Sequence, residues 1–169
     1  MRKYALAIFV KTPTISSVKT RLAADIGKEE AEEFFVLSAA ALHETVKTLQ
    51  SLHPNIKSFW AIAESEGLDH SLWQDLPRIY QGDGKLGERL HKVFDQLIDD
   101  FDGVVIIGAD SPQIGSDDLA VAFEVFDDSI GQDGFDIVVG PAKDGGFYLV
   151  GSSKRLPSTL WASVRYGTE

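Results

Sequence analysis

The segment Gly103-Val-Val-Ile-Ile-Gly-Ala-Asp-Ser-Pro112 is the clearest indication of the fold in this sequence. Its first six residues, 103–108, are apolar and β-branched apart from the flanking glycines, which is typical of a strand buried on both faces of a parallel sheet. The carboxylate of Asp110 follows, and burying a carboxylate is costly unless it meets a cation. Ligands of such sheets bind beyond the carboxyl ends of the strands, so the segment predicts a central strand and one wall of a site.

Similar apolar segments lie on both sides of this strand. They predict further strands at 4–10, 56–63, 78–80, 135–139 and 147–150. Between them, apolar residues at helical spacing predict helices at about 28–49, 86–101 and 116–126, with a short helix at 68–76. Strands that alternate with helices indicate a layered α/β domain with right-handed crossovers. We expect a single domain over residues 1–169 with no closing helix, and therefore a C-terminus that is truncated or extended.

The composition narrows the classes of function. The chain has 169 residues and a formal net charge of −10, which disfavours binding to a polynucleotide. It contains no cysteine, which excludes disulfides and thiolate metal sites. No apolar run approaches the roughly 20 residues of a membrane span. The apolar run at 4–10 is short and lacks a small-residue cleavage site, so we interpret it as a strand rather than a signal peptide and expect a cytoplasmic protein.

The loop after the first predicted strand concentrates positive charge in an acidic chain. Lys11, Lys19 and Arg21 lie within eleven residues. Hydroxyl groups stand among them at Thr12, Ser16, Ser17 and Thr20. Phosphate oxygens need such donors, and arginine can engage two oxygens at once. The spacing is not that of a Walker loop. A solvated basic loop is the alternative, but the position after the first strand favours phosphate binding.

A second segment, Gln81-Gly-Asp-Gly-Lys-Leu-Gly-Glu-Arg-Leu90, is rich in glycine. Glycines such as Gly82 and Gly87 allow the backbone to approach a ligand closely. The helix that begins at about residue 86, with Glu88 in its first turn, offers free amides at its N-terminus. A flexible turn before a helix explains the same residues equally well.

Two carboxylates are candidate metal ligands. Asp110 follows the most clearly predicted strand. Mg²⁺ favours carboxylates combined with substrate phosphates. Asp144, followed by Gly145 and Gly146, could bring a second carboxylate to the same ion. The alternatives are an Asx-turn at Asp110 and a hairpin turn at Asp144. The position of Asp110 on the central strand favours the metal site.

These segments together resemble a bacterial family of GT-A-type transferases in the nucleotide-diphospho-sugar transferase superfamily. The chain is also similar to the 2-phospho-lactate guanylyltransferases and the molybdenum-cofactor guanylyltransferases. The matching text is Lys11-x-Pro13, Val18-Lys-Thr-Arg-Leu22, Gly27 with Glu29-Glu-Ala31, Gln81-Gly with Leu86-Gly-Glu-Arg89, Gly108-Ala-Asp-Ser-Pro112, Gly140-Pro-Ala-x-Asp-Gly-Gly-Phe-Tyr148 and Tyr166-Gly-Thr168. The resemblance spans nearly the whole chain, and the ordered combination is more specific than any one motif.

The resemblance implies a three-layer Rossmann-like sandwich, the GT-A fold, with a nucleotide over the first loop. Lys11, Lys19 and Arg21 would contact phosphates, with Lys19 and Asp110 as the catalytic residues. Asp110 would hold Mg²⁺ or Mn²⁺ with Asp144 close by. The chain departs from the family pattern in two places, with serine at position 16 in place of the usual glycine and tyrosine at position 166 in place of tryptophan.

We therefore expect a metal-dependent transferase that uses a nucleotide sugar or a nucleoside triphosphate and a small acceptor, by glycosyl or nucleotidyl transfer. Two alternatives stay open. A metal-dependent phosphohydrolase would also place an aspartate after a central strand, although the strand-end Asp-x-Asp pair common in that class is missing. A nucleotide-binding module without turnover is the other alternative.

Overall fold

The computed structural model describes residues 1–128, 136–143 and 145–164. Six strands form one sheet in the order β3-β2-β1-β4-β6-β5. The strands are β1 (Tyr4–Val10), β2 (Ile56–Ile62), β3 (Arg78–Tyr80), β4 (Gly103–Gly108), β5 (Ile137–Pro141) and β6 (Phe147–Ser152). Four strands, β1 to β4, pair in parallel, and β6 lies antiparallel between β4 and β5. The mostly parallel α/β sheet predicted from the sequence is confirmed.

Helices cover both faces of this sheet. They are α1 (Thr20–Ile26), α2 (Lys28–Leu52), α3 (Leu86–Ile98), α4 (Ser116–Asp128) and α5 (Ser158–Ser163). One core packs α2 and α4 against the sheet through residues such as Leu42 and Phe123. The other packs α3 and α5 against the opposite face through Phe94 and Trp161, whose ring centroids are 5.4 Å apart. The result is the predicted three-layer sandwich.

Several predicted boundaries need correction. The predicted short helix at 68–76 is wrong, because the chain forms two 3-10 helices there, Ser65–Asp69 and Ser71–Trp73. Trp73 is buried and anchors this irregular segment through one side chain, whereas a helix would bury a stripe of several. The helix predicted to reach 101 ends at Ile98, and the strand predicted at 135–139 is described from Ile137 to Pro141, with residue 135 outside the described part.

Two helices were not predicted. Helix α1 buries none of its residues, so it carries no apolar stripe to reveal it. Helix α5 has six residues and follows Pro157. It lies near the end of the chain, where we expected no helix. It buries one side chain, Trp161, and one buried residue is too little for a periodic pattern.

The sheet order creates a crevice between β1 and β4. From β1 the sheet continues through β2 and β3 on one side, and from β4 it continues through β6 and β5 on the other. Strand order therefore reverses between β1 and β4, which pair in parallel. In open α/β sheets, ligands bind at such a switch point, outside the carboxyl ends of the strands. The segments after Val10 and Gly108 meet there.

Candidate functional site

A cavity of about 400 Å³ opens at the switch point. This volume lies within the range of sites for small molecules. Polar groups reach it from the segments that follow β1 and β4, and apolar side chains line the rest. The polar members are Lys11, Ser17, Lys19, Thr20, Gln81 and Asp110. The apolar members include Phe9, Phe35, Leu86, Leu90, Phe147 and Tyr148.

The two predicted catalytic residues meet in this cavity. Lys19 Nζ lies 2.8 Å from Asp110 Oδ1. The same ammonium also lies 5.5 Å from the ring centroid of Phe34, within the range of a cation–π contact. The side chain of Asp110 is 67% exposed, whereas that of Lys19 is 19% exposed. The cation is therefore held from two sides, while the carboxylate remains open to a ligand.

Lys19 has an unusual backbone as well. Its φ of 48° and ψ of 42° place it in the left-handed region, and it is the only non-glycine residue with positive φ among those described. This conformation costs a residue with a Cβ about 1–2 kcal/mol. Lys19 immediately precedes α1, so the turn directs the ammonium towards β4 while the chain enters the helix. Strained residues of this kind cluster at functional sites.

The other residues predicted in the first loop divide into two groups. Lys11, Ser17 and Thr20 line the cavity with Lys19. Ser16 and Arg21 are not among the lining residues. The amide of Ser16 donates to the carbonyl of Thr12 at 2.8 Å, so this position forms part of a turn. The side chain of Arg21 is exposed on α1.

The glycine-rich segment after β3 serves mainly to start α3. Gly82 and Gly84 have φ of 85° and 106°, a conformation that favours glycine. Glu88 Oε2 accepts from the amide of Lys85 at 2.6 Å, so its carboxylate caps the helix. Gly87 is buried in the first turn. Leu86 and Leu90 of this segment line the cavity.

Sequence reasoning missed a group of residues that fixes the first loop. Glu64 Oε2 accepts from the amide of Thr12 at 2.9 Å, and Trp73 Nε1 donates to Thr12 Oγ1 at 3.0 Å. His70 Nε2 lies 3.2 Å from Thr14 Oγ1. Thr12 is fully buried by these contacts. Glu64, His70 and Trp73 come from the irregular segment between β2 and β3, where no periodic pattern could reveal their role.

Gln81 belongs to a segment that the sequence singles out, but no role of its side chain was predicted. It is 4% exposed and lines the cavity from the end of β3. Its Nε2 donates to the carbonyl oxygens of Ala61 at 2.8 Å and Val10 at 3.2 Å. One amide thus joins the carboxyl ends of β1, β2 and β3. No pattern in the sequence reveals this role, because the side chain acts through carbonyl groups of β1 and β2.

The second predicted metal ligand, Asp144, lies outside the described residues. Its neighbours Gly145 and Gly146 belong to the turn between β5 and β6, where the amide of Gly145 donates to the carbonyl of Ala142 at 3.1 Å. Within residues 1–128, 136–143 and 145–164, no three His, Asp or Glu side chains form a metal-binding group. The open carboxylate of Asp110 still suits Mg²⁺, which binds through one or two carboxylates together with substrate phosphates.

No helix in the described part of the chain has the length and apolar character needed to cross a membrane.

Comparison with solved structures confirms the fold. A protein from Desulfovibrio desulfuricans G20, provisionally assigned as a nucleotide-diphospho-sugar transferase, superposes with a TM-score of 0.78 at 23% identity, over 98% of this chain and 70% of that chain. A CMP:2-keto-3-deoxy-manno-octonic acid synthetase complexed with CTP gives a TM-score of 0.53 at 11% identity, over 98% of this chain and 79% of that one. At these identities the similarity establishes the fold alone.

No curated protein sequence matches this chain. A bacterial family described as "Uncharacterized protein conserved in bacteria (DUF2064)" matches residues 36–168. That range contains the ends of β3 and β4, with Gln81 and Asp110, and the start of β6 with Tyr148. Because the match covers most of the 169 residues, this protein belongs to the DUF2064 family of bacterial proteins.

Proposed function

We propose that this protein is a nucleotide-using transferase that transfers a glycosyl or nucleotidyl group from a nucleotide sugar or a nucleoside triphosphate to a small acceptor. One observation carries the proposal. The ammonium of Lys19 in the first loop and the carboxylate of Asp110 after β4 lie 2.8 Å apart inside a cavity at the switch point of the sheet. Such a crevice is where nucleotides bind in α/β proteins.

The cavity separates charge from apolar surface as a nucleotide would require. Lys11 and Lys19 supply cations for the phosphates, and the hydroxyls of Ser17 and Thr20 can donate to further phosphate oxygens. Apolar walls from α3 and β6 could cover a base or a sugar. The two superposed proteins, one provisionally a nucleotide-diphospho-sugar transferase and the other complexed with CTP, add support by analogy of fold.

Either transfer places the same demand on this chain. In glycosyl transfer, an acceptor oxygen bonds to the anomeric carbon, the bond from that carbon to the diphosphate breaks, and a nucleoside diphosphate leaves. In nucleotidyl transfer, the acceptor oxygen bonds to the α-phosphorus and pyrophosphate leaves. The acceptor releases its proton to water in both. Negative charge grows on a departing phosphate oxygen, and preorganised donors such as Lys11 and Lys19 would stabilise it.

Asp110 is the residue that would hold Mg²⁺ or Mn²⁺ together with the substrate phosphates. The ion, when bound, would neutralise phosphate charge. In the structure, the ammonium of Lys19 lies against this carboxylate. We propose that the phosphates attract Lys19 when they bind, which frees Asp110 for the ion. The turn that holds Lys19 beside the cavity keeps its ammonium within reach of either partner.

A thermal-shift panel tests the proposal. The wild-type protein is melted with UTP, GTP, CTP, ATP, dTTP and nucleotide sugars, each with Mg²⁺ and with EDTA. A ligand at one hundred times its dissociation constant adds about 2.7 kcal/mol of stability, which raises the melting temperature visibly. We expect a shift for one base that EDTA removes and that Asp110→Ala abolishes. The leaving group, pyrophosphate or a nucleoside diphosphate, then identifies the reaction.

Asp69→Ala is the matched control for Asp110→Ala. Asp69 is also exposed and also paired with a cation, at 3.8 Å from Arg78, but it does not line the cavity. This variant should keep the ligand-induced shift. If no nucleotide or nucleotide sugar shifts the melting temperature of well-folded wild-type protein, the proposed function is wrong.

A further inference from the structure

The strand β6 contains an irregularity beside the cavity. Gly140 pairs with Leu149, and Pro141 pairs with Phe147, so Tyr148 has no partner in β5. One extra residue in one strand of an antiparallel pair is a β-bulge. In a regular strand, consecutive side chains point to opposite faces of the sheet. Here both Phe147 and Tyr148 line the same cavity, and bulges next to active sites are known to redirect side chains in this way.

The ring of Tyr148 rests on a glycine. A Cβ added to Gly140 would lie 2.6 Å from the Cζ atom of Tyr148 and 2.9 Å from both of its Cε atoms. Real Cβ atoms essentially never come closer than 3.0 Å to another heavy atom, so any larger residue at 140 would displace the ring. Gly140 therefore allows Tyr148 to lie flat against β5. The ring remains 37% exposed, so its outer surface is available to a ligand.

The position of this ring relative to the charged pair suggests its use. Lys19 and Asp110 belong to the segments beyond β1 and β4, and Tyr148 is the second residue of the next strand of the sheet, β6. Phosphates bound at Lys19 would leave the ring-bearing part of the substrate to extend over an apolar wall. An exposed aromatic ring with a hydroxyl at its tip provides such a wall, because it stacks with flat groups and can also form hydrogen bonds.

We infer that Tyr148 is a substrate-binding residue whose ring packs against the ring-bearing part of the substrate, either the base or the sugar. The inference rests on the proposed function and adds a specificity-determining residue to it. The bulge directs the side chain into the cavity, and Gly140 provides the space for the ring. Neither Tyr148 nor Gly140 is needed to bind phosphates, so the inference can fail while the nucleotide site stands.

Calorimetric titration of the wild-type protein and of Tyr148→Ala tests this role. The probes form two comparisons. Their members differ by the nucleoside in the first comparison and by the glucosyl group in the second. Inorganic tripolyphosphate is compared with UTP, CTP, GTP and ATP, and UDP is compared with UDP-glucose. Loss of an aromatic stacking partner typically weakens binding by about 5- to 150-fold. We expect a loss in this range for the larger member of one comparison and less than about 2-fold for the counterpart that lacks the added group. Tyr148→Phe, which keeps the ring, should stay within about 3-fold of the wild type.

The outcomes separate the two sources of the ring. A loss for a nucleoside triphosphate but not for tripolyphosphate assigns the nucleoside, whose base offers the flat ring, to Tyr148. A loss for UDP-glucose but not for UDP assigns the sugar. Equal affinities in the wild-type protein and Tyr148→Ala for every probe would overturn the inference and leave the nucleotide site intact. Failure of the wild-type protein to bind any nucleotide would instead overturn the proposed function.

A second variant moves the ring without removing it. Gly140→Ala places a methyl group where the ring of Tyr148 lies, so the ring must shift. We expect Gly140→Ala to weaken the same probe as Tyr148→Ala, with unchanged affinity for tripolyphosphate and a native circular dichroism spectrum. Wild-type affinity for that probe in a folded Gly140→Ala protein would count against the proposed position of the ring.

Discussion

The ammonium of Lys19 lies 2.8 Å from a carboxylate oxygen of Asp110, and this contact joins the segments that follow β1 and β4. The two residues are 91 positions apart and meet only because their strands are neighbours in the sheet. Asp110 is 67% exposed, and exposed ion pairs contribute about 0–1 kcal/mol to stability. The pair therefore adds little to the stability of the fold, and we propose that its main role is to bind a ligand.

Removal of either charge should affect nucleotide binding more than the free energy of unfolding. Lys19→Ala and Asp110→Asn should each change the free energy of unfolding by no more than about 1 kcal/mol. Loss of Lys19 should weaken nucleotide binding by about 10- to 100-fold, because it removes a charged hydrogen-bond donor. Urea unfolding and calorimetric titration measure the two quantities. Lys47→Ala is the matched control, since Lys47 also pairs with a carboxylate at 2.8 Å but does not line the cavity. Unchanged nucleotide affinity in Lys19→Ala would contradict the assignment.

The left-handed backbone of Lys19 predicts a difference between two variants that both lack the ammonium. Lys19→Gly should be more stable than Lys19→Ala by about 0.5–1 kcal/mol, because glycine adopts a φ of 48° without steric cost. Glycine also loses more entropy on folding, which reduces the gain. Chemical denaturation of the two proteins measures the difference. Equal stability, or greater stability of the alanine variant, would show that the strain at position 19 is relieved in solution.

The carboxylate of Glu64 fixes the start of the first loop and should stabilise the fold. Glu64→Ala leaves the buried amide of Thr12 without its acceptor, and an unsatisfied buried group costs about 1–3 kcal/mol. Glu64→Gln retains an oxygen that can accept, so its loss of stability should be smaller. Glu66→Ala is a suitable control, because Glu66 is exposed and bonds only to Ser65 among the hydrogen bonds of the described residues. Equal losses in Glu64→Ala and Glu66→Ala would contradict this role.

A pH dependence is expected from Tyr4. Burial, and then the hydrogen bond that its hydroxyl donates to Asp127, raise the pKa of Tyr4 from 10.0 to about 12. The folded protein keeps this proton where the unfolded chain loses it. The stabilisation is therefore complete below pH 10 and is lost as the pH rises towards 12. A shift of this size corresponds to about 2–3 kcal/mol.

Unfolding in urea at several pH values between 10 and 12 tests this expectation. The free energy of unfolding should fall less steeply with pH in Tyr4→Phe than in the wild-type protein, because phenylalanine has no proton to lose. Parallel pH profiles for the two proteins would contradict the raised pKa of Tyr4.

The sequence predicted the central part of the fold well because those elements are buried. Strands β1 and β4 were predicted with the correct bounds, since each is a continuous and buried apolar run. Strand β3 also has the predicted bounds, although only its middle residue, Ile79, is buried. Helix α1 and the 3-10 helices Ser65–Asp69 and Ser71–Trp73 were not predicted, because none of them buries a periodic apolar face. Helix α1 buries no residue, and each 3-10 helix buries one. The 3.6-residue period identifies only elements that bury one whole stripe.

The candidate site was predicted only in part, because it depends on contacts between distant segments. The charges of Lys19 and Asp110 could be recognised from their places after two strands. The roles of Glu64 and Gln81 could not, since both act through backbone groups of β1 or of the loop after it. The bulge at Tyr148 was equally hidden, because it is a property of how β5 and β6 pair.

The position of β6 between β4 and β5 affects when the candidate site can form during protein synthesis. Domains generally fold as units, and during synthesis the chain emerges from its N-terminal end. Strands β1 to β4, with Lys19 and Asp110, are complete by residue 110, but the cavity wall at Phe147 and Tyr148 emerges about a quarter of the chain later. The site therefore cannot be complete until β5 and β6 have left the ribosome and joined the sheet beside β4.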